Sequence, residues 1–593
     1  MTRTTRLCWM LAIGSVCWLS LRTPLASLAH AEPVQPVVRK PVPNEAAAHD
    51  HVRDLQTEAI RSNTAEWGHW GPIPQRYSVW RSHSNRLIPL YTFGISQAGV
   101  SGEKSVYRDA AKIRELYGRL PEDTLNPEAV YSDQTDVYRL QRDAVAAGKK
   151  NIILIVFDGM DWQTIWAAAT YQAGKVAYRE GRGTGLHFQD YRGAPTDFGY
   201  FVSSPHNDGT LYDVDAQMLK NPGGRLGGGY DPYLAGDTPW AVPRDPFYPI
   251  GQGAPPGRRK HAYTDSSSSA SSMTTGKKFY NDGVNIDAQG NQIETIAQQL
   301  QKQGFKVGAV TSVPISHATP ACTYAHNVSR DDYQDLSRDM LGLVSVSHRR
   351  EPLPGLDVLI GCGWGEDTRK KDPPVSLPIL SQPPIDYDRI DQGMNFVPGN
   401  RYLTDSDLAQ IDIENGGKYR VVQRTPGQSG NEVLMAGAKQ AAAKGERLFG
   451  YFGAKKGHLP FRTADGRFDP TISADAVNTR VATATEVYTP EDLTENPTLA
   501  EMAQAALTVL SKNEKGFWLL IEAGDVDWAN HTNNIDNSIG AVVSGDLAFR
   551  AVTDWVETRP EGWRDTAVFL TADHGHYLVL TRPEALVEGK SAK

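Results

Sequence analysis

Four apolar runs, each the length of one buried strand and each leading to an acid or a histidine, constrain this chain more than its composition does. Asn151-Ile-Ile-Leu-Ile-Val-Phe157 stops at Asp158-Gly-Met160, and Phe517-Trp-Leu-Leu-Ile521 stops at Glu522. Ala567-Val-Phe-Leu570 leads to Asp573-His574, and Val307-Gly-Ala-Val-Thr-Ser312 leads to His317-Ala-Thr319. Runs that are apolar at every position fit strands covered on both faces, as in parallel sheets. Helical patterns lie between them, near Asp136–Ala147, Ile293–Gln303 and Ile539–Val556. Pro497, Thr498 and Glu501 form a capping box for a further helix to about Ser511. This alternation predicts an α/β fold, a doubly wound, mostly parallel sheet flanked by helices. Sites in such sheets lie beyond the carboxyl ends of the strands, where each of these acids and histidines falls.

Length alone suggests several domains, but candidate ligands spread from Asp158 to His574 and must meet in one place. One catalytic domain over 151–593 is therefore expected, with long insertions near 185–260, 365–430 and 454–495. Residues 32–150 read as an irregular N-terminal extension packing on that core. Residues 1–31 read as a signal peptide: Arg3 and Arg6 precede the apolar stretch Leu7–Leu21, and Ala29-His30-Ala31 resembles a cleavage site. That stretch is short for a membrane span, so the expectation is an exported chain, periplasmic or secreted, with no stable membrane anchor. The formal net charge is −8, and losing Arg3, Arg6 and Arg22 with the leader makes the mature chain more acidic. No basic stripe stands out, which argues against nucleic acid as a partner. Cys8 and Cys17 leave with the leader; Cys322 and Cys362 either pair or both stay buried.

The polar run Tyr263-Thr-Asp-Ser-Ser-Ser-Ser-Ala-Ser-Ser-Met-Thr-Thr-Gly276 can open a helix with a hydroxyl at its positive end. Such an end attracts anions, and a serine there is a candidate nucleophile toward phosphate once its pKa is lowered. Asp158, the Glu522-x4-Asp527-x3-His531 spacing and Asp573-His574 offer mixed carboxylate and imidazole ligands, which suit zinc; carboxylate, hydroxyl and water suit magnesium. Two divalent cations about 4 Å apart can activate an attacking oxygen and stabilise a leaving one. Arg330 can grip non-bridging phosphate oxygens with two parallel N–H donors, which a lysine cannot. Each piece alone is weak, since most serine-rich runs are loops and most Asp-His pairs are solvated. Jointly, each beyond a buried-type strand, they carry weight.

The set resembles the alkaline phosphatase family. Ile153-Leu-Ile-Val-Phe-Asp-Gly-Met160 is similar to its first metal-binding strand, and Thr264 to Gly276 to its nucleophile segment. His317-Ala-Thr-Pro-Ala with Arg330, Gly516 to Gly524 with Asp527 and His531, and Thr571-Ala-Asp-His-Gly-His576 complete the likeness over 151 to about 578. It implies a phosphomonoesterase acting on small phosphate esters through a phosphorylated Ser266, with Arg330 as the phosphate clamp. It implies two Zn2+ and one Mg2+. Asp158, Asp573 and His574 would hold the zinc that ionises Ser266, and Asp527 and His531 the zinc at the leaving oxygen. Asp158, Thr319 and Glu522 would build the magnesium site. A homodimer is common in the family and is left open here.

Three departures from the family pattern stand out. His317 occupies a position where some members carry Asp, as a neighbour of the third metal or an alternative ligand. Trp528 follows Asp527 where relatives often carry a charge or a histidine. The family's third zinc histidine lies well beyond the Asp-His pair, yet only Gly575 to Lys593 follow it here, so either that zinc has a different third ligand or the sequence continues past Lys593. The resemblance makes His576 a hydrogen-bond partner of Asp527 rather than that ligand. His458, after the strand-like run Leu448–Phe452, is the preferred substitute, with an ordinary loop histidine as the alternative; His206 and His261 rank below it. Two rival functions remain: a phosphodiesterase of the same superfamily, and a metal- or phosphate-binding protein that lost turnover with its third zinc histidine.

Overall fold

The computed structural model describes residues 50–366, 400–472 and 487–588. The expected signal peptide and the parts of two insertions at 367–399 and 473–486 lie outside them.

Ten strands form the central sheet: β1 (Ile88–Phe93), β2 (Ser132–Asp133), β3 (Asn151–Phe157), β4 (Thr196–Val202), β5 (Lys306–Pro314), β6 (Val358–Cys362), β7 (Tyr419–Gln423), β8 (Arg447–Tyr451), β9 (Phe517–Ala523) and β10 (Thr566–Thr571). Their order is β7-β8-β6-β5-β9-β3-β10-β1-β4-β2. From β7 to β10 every neighbouring pair is parallel. β1 runs against both β10 and β4. The sequence-predicted strands are β3, β5, β8, β9 and β10, and four of these five stand in the unbroken block β5-β9-β3-β10.

Helices cover both faces. They include α1 (Gln134–Ala146), α2 (Trp162–Ala173), α3 (Ser266–Thr275), α4 (Ile296–Lys302), α5 (Gly430–Lys444), α6 (Leu499–Leu510), α7 (Asp525–His531) and α8 (Ile535–Glu557). Successive strand residues point to opposite faces, and β9 shows the two layers directly. Phe517 packs edge-on to the Trp555 ring of α8, with centroids 5.6 Å apart, while Trp518 donates its indole N–H to Gln141 Oε1 of α1 at 2.8 Å. The capping box read at Thr498 and Glu501 is present, with Thr498 N–H 2.7 Å from the Glu501 carboxylate. α8 starts earlier than its apolar period suggests, because Asn534 caps it by accepting from Asn537 N–H at 3.0 Å.

The segment read as an irregular leader contributes more than a cover. β1 is an inner strand of the sheet, buried along its whole length, and α1 packs against β3 and β10. Likewise β4, from the region read as the first insertion, continues the sheet beside β1. Cys322 and Cys362 do not pair; both are buried thiols. Among the described residues no helix is long and apolar enough to cross a membrane.

Gly159, directly after β3, shows how tightly the carboxyl edge is built. Its φ is +72°, and a Cβ there would lie 2.9 Å from His576 Cδ2 and 3.2 Å from Asp527 Cα. Gly290 shares the left-handed backbone, at φ +82°, but faces open space. Gly290→Ala should therefore cost only the backbone term, about 1–2 kcal/mol. Gly159→Ala should cost clearly more in a denaturant melt, and equal losses would show that the contacts around Gly159 are slack.

Candidate active site

The carboxyl ends of β3, β9 and β10, adjacent in the sheet, deliver Asp158, Glu522 and Asp573, all fully buried. Asp573 Oδ1 accepts from Gly159 N–H at 3.0 Å and from His574 N–H at 2.9 Å. Its Oδ2 lies 3.5 Å from the Thr319 hydroxyl and 3.6 Å from His574 Nε2. His574 Nε2 is 3.1 Å from Asp158 Oδ1. Glu522 accepts a hydrogen bond from the hydroxyl of Thr311, its neighbour on β5. Ligand atoms of Asp158, Asp573 and His574 lie within 4.8 Å of one another, as do those of Asp158, His317 and Glu522.

Ser266 is the first residue of α3, and its Oγ is 3.2 Å from His574 Nε2. The serine-rich run is a helix because its cap and hydroxyls are all engaged. Asp265 caps it by accepting from Ser268 N–H at 2.9 Å. Ser269 donates to the Asp573 carbonyl at 2.6 Å, and Ser272 to the Ser268 carbonyl at 2.7 Å. Small side chains let this buried helix come close to the end of β10. Arg330 reaches back to the cap, with Nη1 2.9 Å from Asp265 Oδ2, and its backbone N–H donates to the Asp282 carbonyl at 2.7 Å.

A second group of ligand-type atoms adjoins the first. Asp527 Oδ1 on α7 is 3.4 Å from His531 Nε2, 2.8 Å from His576 Nε2 and 3.8 Å from His574 Nε2. His83, from the N-terminal segment, stands in the same place: its Nε2 is 3.7 Å from Asp527 Oδ1 and 3.2 Å from His531 Nε2. Its ring stacks on His574 with centroids 3.8 Å apart. Sequence reasoning missed His83, because it follows no apolar strand and lies outside every quoted motif. The one signal was the run Leu87 to Phe93 just after it, apolar enough for a buried strand.

The structure does not bring His458 to these atoms. Its Nδ1 is 2.5 Å from the Leu459 carbonyl, and its ring stacks on Phe461 at 4.1 Å. Trp528 stands edge-on to both His458 and His317, at 5.1 and 5.9 Å, and so walls the site on that side. His261 hydrogen-bonds the Tyr248 and Ala262 carbonyls, and His206 belongs to no ligand group among the described residues.

The donors fit divalent cations. Neither carboxyl oxygen of Asp158, nor His317 Nδ1, has a hydrogen-bond partner, although all three atoms are buried. Burial, then the charges of Asp573, Asp527 and Glu522, pushes the Asp158 pKa well above the ordinary carboxylate range. Burial likewise lifts Glu522 to about 8, with the Asp573 charge adding to it. Burial lowers His317 and His576 to about 3, so both imidazoles are neutral and able to ligate. Buried, mutually repelling carboxylates beside neutral imidazoles make a site that only positive charge completes.

Asp265 is different. Burial alone would raise its pKa, but Arg330, the Ser268 N–H and the Ser267 hydroxyl hold it below the ordinary value. Asp282 is lifted to about 7, by burial first and then by the charges of Asp265 and Asp331. A carboxyl whose folded pKa is raised binds its proton more tightly in the native state, so its stabilisation fades as pH rises toward that value. Asp282→Asn should therefore flatten the fall in melting temperature between about pH 4 and 7. An unchanged slope would rule Asp282 out as its source.

The family model for alkaline phosphatase matches residues 247–371 and 480–588. Alkaline phosphatase 4 of Bacillus subtilis (strain 168) is 23% identical over 314 residues, covering 52% of this chain and 49% of that protein. Alkaline phosphatase of Escherichia coli (strain K12) is 27% identical over 329 residues, covering 55% and 61%. The chain thus spans about half to three-fifths of the length of these relatives. The crystal structure of Thermus thermophilus alkaline phosphatase aligns with a TM-score of 0.39 at 20% identity, covering 72% of this chain and 60% of that one. Over the matched segments the chain is thus similar to alkaline phosphatases.

Proposed function

We propose that this protein is an exported phosphomonoesterase that hydrolyses small phosphate monoesters through a phosphoserine at Ser266. The observation that carries the reading is the place of Ser266 Oγ, at a helix N-terminus and 3.2 Å from His574 Nε2. His574 is itself grouped with Asp158 and Asp573. For metal bonds of about 2.0–2.1 Å, neighbouring ligands in a tetrahedron stand about 3.3 Å apart. The 3.1 and 3.6 Å separations of His574 Nε2 from Asp158 and Asp573 bracket that edge, and Ser266 Oγ stands at a similar 3.2 Å from the same nitrogen.

Asp158, Asp573 and His574 would hold one zinc, Asp527 and His531 a second, and Asp158, Thr319 and Glu522, with His317 beside them, a magnesium. Bound there, these cations would lower the pKa of the Ser266 hydroxyl and neutralise charge on the attacking and leaving oxygens. The chain's own residues do the rest. The first turn of α3 offers free N–H groups and its positive end to the phosphoryl group. Arg330, anchored on Asp265 one residue from the nucleophile, places a second charge on the non-bridging oxygens. His576 orients Asp527 through their 2.8 Å contact. Ser266 attacks phosphorus, the ester oxygen leaves, and water then attacks the phosphoserine, releasing inorganic phosphate and restoring the hydroxyl. A monoester dianion suits this charge-rich pocket better than a diester monoanion.

Ser266→Ala should abolish the acid-stable phosphoenzyme and lower turnover of p-nitrophenyl phosphate by orders of magnitude, while metal content stays unchanged. Full activity in that variant would remove Ser266 from the reaction. Arg330→Ala should weaken inorganic phosphate binding about 10- to 100-fold, the worth of a charge-assisted hydrogen bond, and Arg330→Lys should recover only part of it. A wild-type preference for bis(p-nitrophenyl) phosphate or for a sulfate ester would overturn the monoester assignment.

A further inference from the structure

The geometry points to His83 as the third protein ligand of the zinc held by Asp527 and His531. That centre would then be closed by the N-terminal segment. The inference rests on the metal-dependent reading above.

Three acceptor atoms form a triangle: His83 Nε2 to His531 Nε2 is 3.2 Å, His531 Nε2 to Asp527 Oδ1 is 3.4 Å, and His83 Nε2 to Asp527 Oδ1 is 3.7 Å. These sides match the tetrahedral edge of about 3.3 Å expected around zinc. Both imidazoles are also turned the right way. His83 Nδ1 lies 3.0 Å from the Thr264 carbonyl, and His531 Nδ1 lies 2.6 Å from the Arg81 carbonyl. A carbonyl accepts, so each Nδ1 must carry the proton, which leaves a bare lone pair on each Nε2. Two lone pairs and a carboxylate oxygen then face one another at close range. In neutral rings that arrangement is repulsive, and a shared cation turns it into three bonds.

His83 is also held rigidly enough to act as a ligand. His83–Ser84 pairs antiparallel with Gly575–His576, the residues just after the Asp-His pair. Asn85 N–H donates to the Pro249 carbonyl at 2.7 Å, and Arg86 Nη1 is 2.9 Å from Asp161 Oδ2. Two residues later begins β1, antiparallel to β10. The strand that delivers Asp573 and His574 is therefore the partner of the strand that delivers His83. Thr264, whose carbonyl orients the ring, stands two residues before Ser266, so nucleophile and ligand share one loop. His83 lies outside both segments matched by the family model.

The experiment is metal content and affinity of the full-length protein after equilibration with buffered Zn2+, read by mass spectrometry, for wild type, His83→Gln and His83→Asp. Wild type should hold two zinc ions. His83→Gln should lose one, with affinity at that site down more than about 100-fold, beyond the 10- to 100-fold typical of a residue that only orients a ligand. His83→Asp, which restores a ligand atom, should regain much of the second ion. Melting curves of the zinc-free proteins separate misfolding from lost ligation, since the variants should then melt alike. X-ray absorption at the zinc edge should show one imidazole fewer in His83→Gln. Two tightly held ions in His83→Gln would overturn the role of His83 alone, whereas a wild type without a zinc pair would overturn the phosphatase reading itself.

Discussion

Three carboxyl groups with no exposure to water, Asp158, Glu522 and Asp573, sit at the ends of three adjacent strands, and the rest of the structure is arranged around that burden. Buried carboxylates are tolerated only when paired, hydrogen-bonded or coordinated. Here Asp573 is satisfied by two backbone N–H groups on one oxygen, Glu522 by Thr311, and Asp158 by nothing in the protein. Imidazoles stand beside these carboxylates, His317 near Asp158 and Glu522, and His574 near Asp158 and Asp573. The guanidinium of Arg330 pairs with Asp265 at the helix cap and so stands beside the nucleophile. This division places one permanent positive charge where substrate would arrive and leaves the carboxylates to divalent ions.

Much of this was legible in the sequence because the sheet and the site share a cause. A strand covered on both faces must be apolar throughout, so β3, β9 and β10 announce themselves, and the first polar residue after each marks the sheet edge. Strands toward the two margins of the sheet carry no such mark. β4 is half-buried over most of its length, and β7 over four of its five residues, so their composition does not separate them from loops. Helix limits depended on caps: the Thr498 box was visible, whereas the Asn534 cap was not, and α8 gained a turn.

His458 and His83 show where the same logic fails. His458 follows a buried strand, β8, and satisfied the rule that ligands sit beyond strand ends. Yet β8 stands three places from β9, behind β6 and β5, and its following loop delivers the imidazole against Phe461 and Trp528. His83 precedes its strand, so the rule excluded it. It holds only for strands running in the common direction, because the amino end of an antiparallel strand lies at the same edge as the carboxyl ends of its neighbours. β1 is the one strand of the ten that runs in reverse.

That exception lets residues ahead of β1 reach the same sheet edge as residues that follow β10. A site at a sheet edge depends on which strands are neighbours and which ends they present, and the order in which the chain visits them is free so long as connections do not cross. An antiparallel strand beside β10 presents its leading residues to the Asp527 and His531 pair whether the chain reaches it first or last. Its energetic demands are local: the β1–β10 ladder, the short His83–Ser84 pairing with Gly575–His576, and one carbonyl to hold the tautomer. Each is met by backbone groups, which any segment carries. What the position demands of the sequence is one imidazole a few residues ahead of a run that can be buried on both faces, and Leu87 to Phe93 meets that demand.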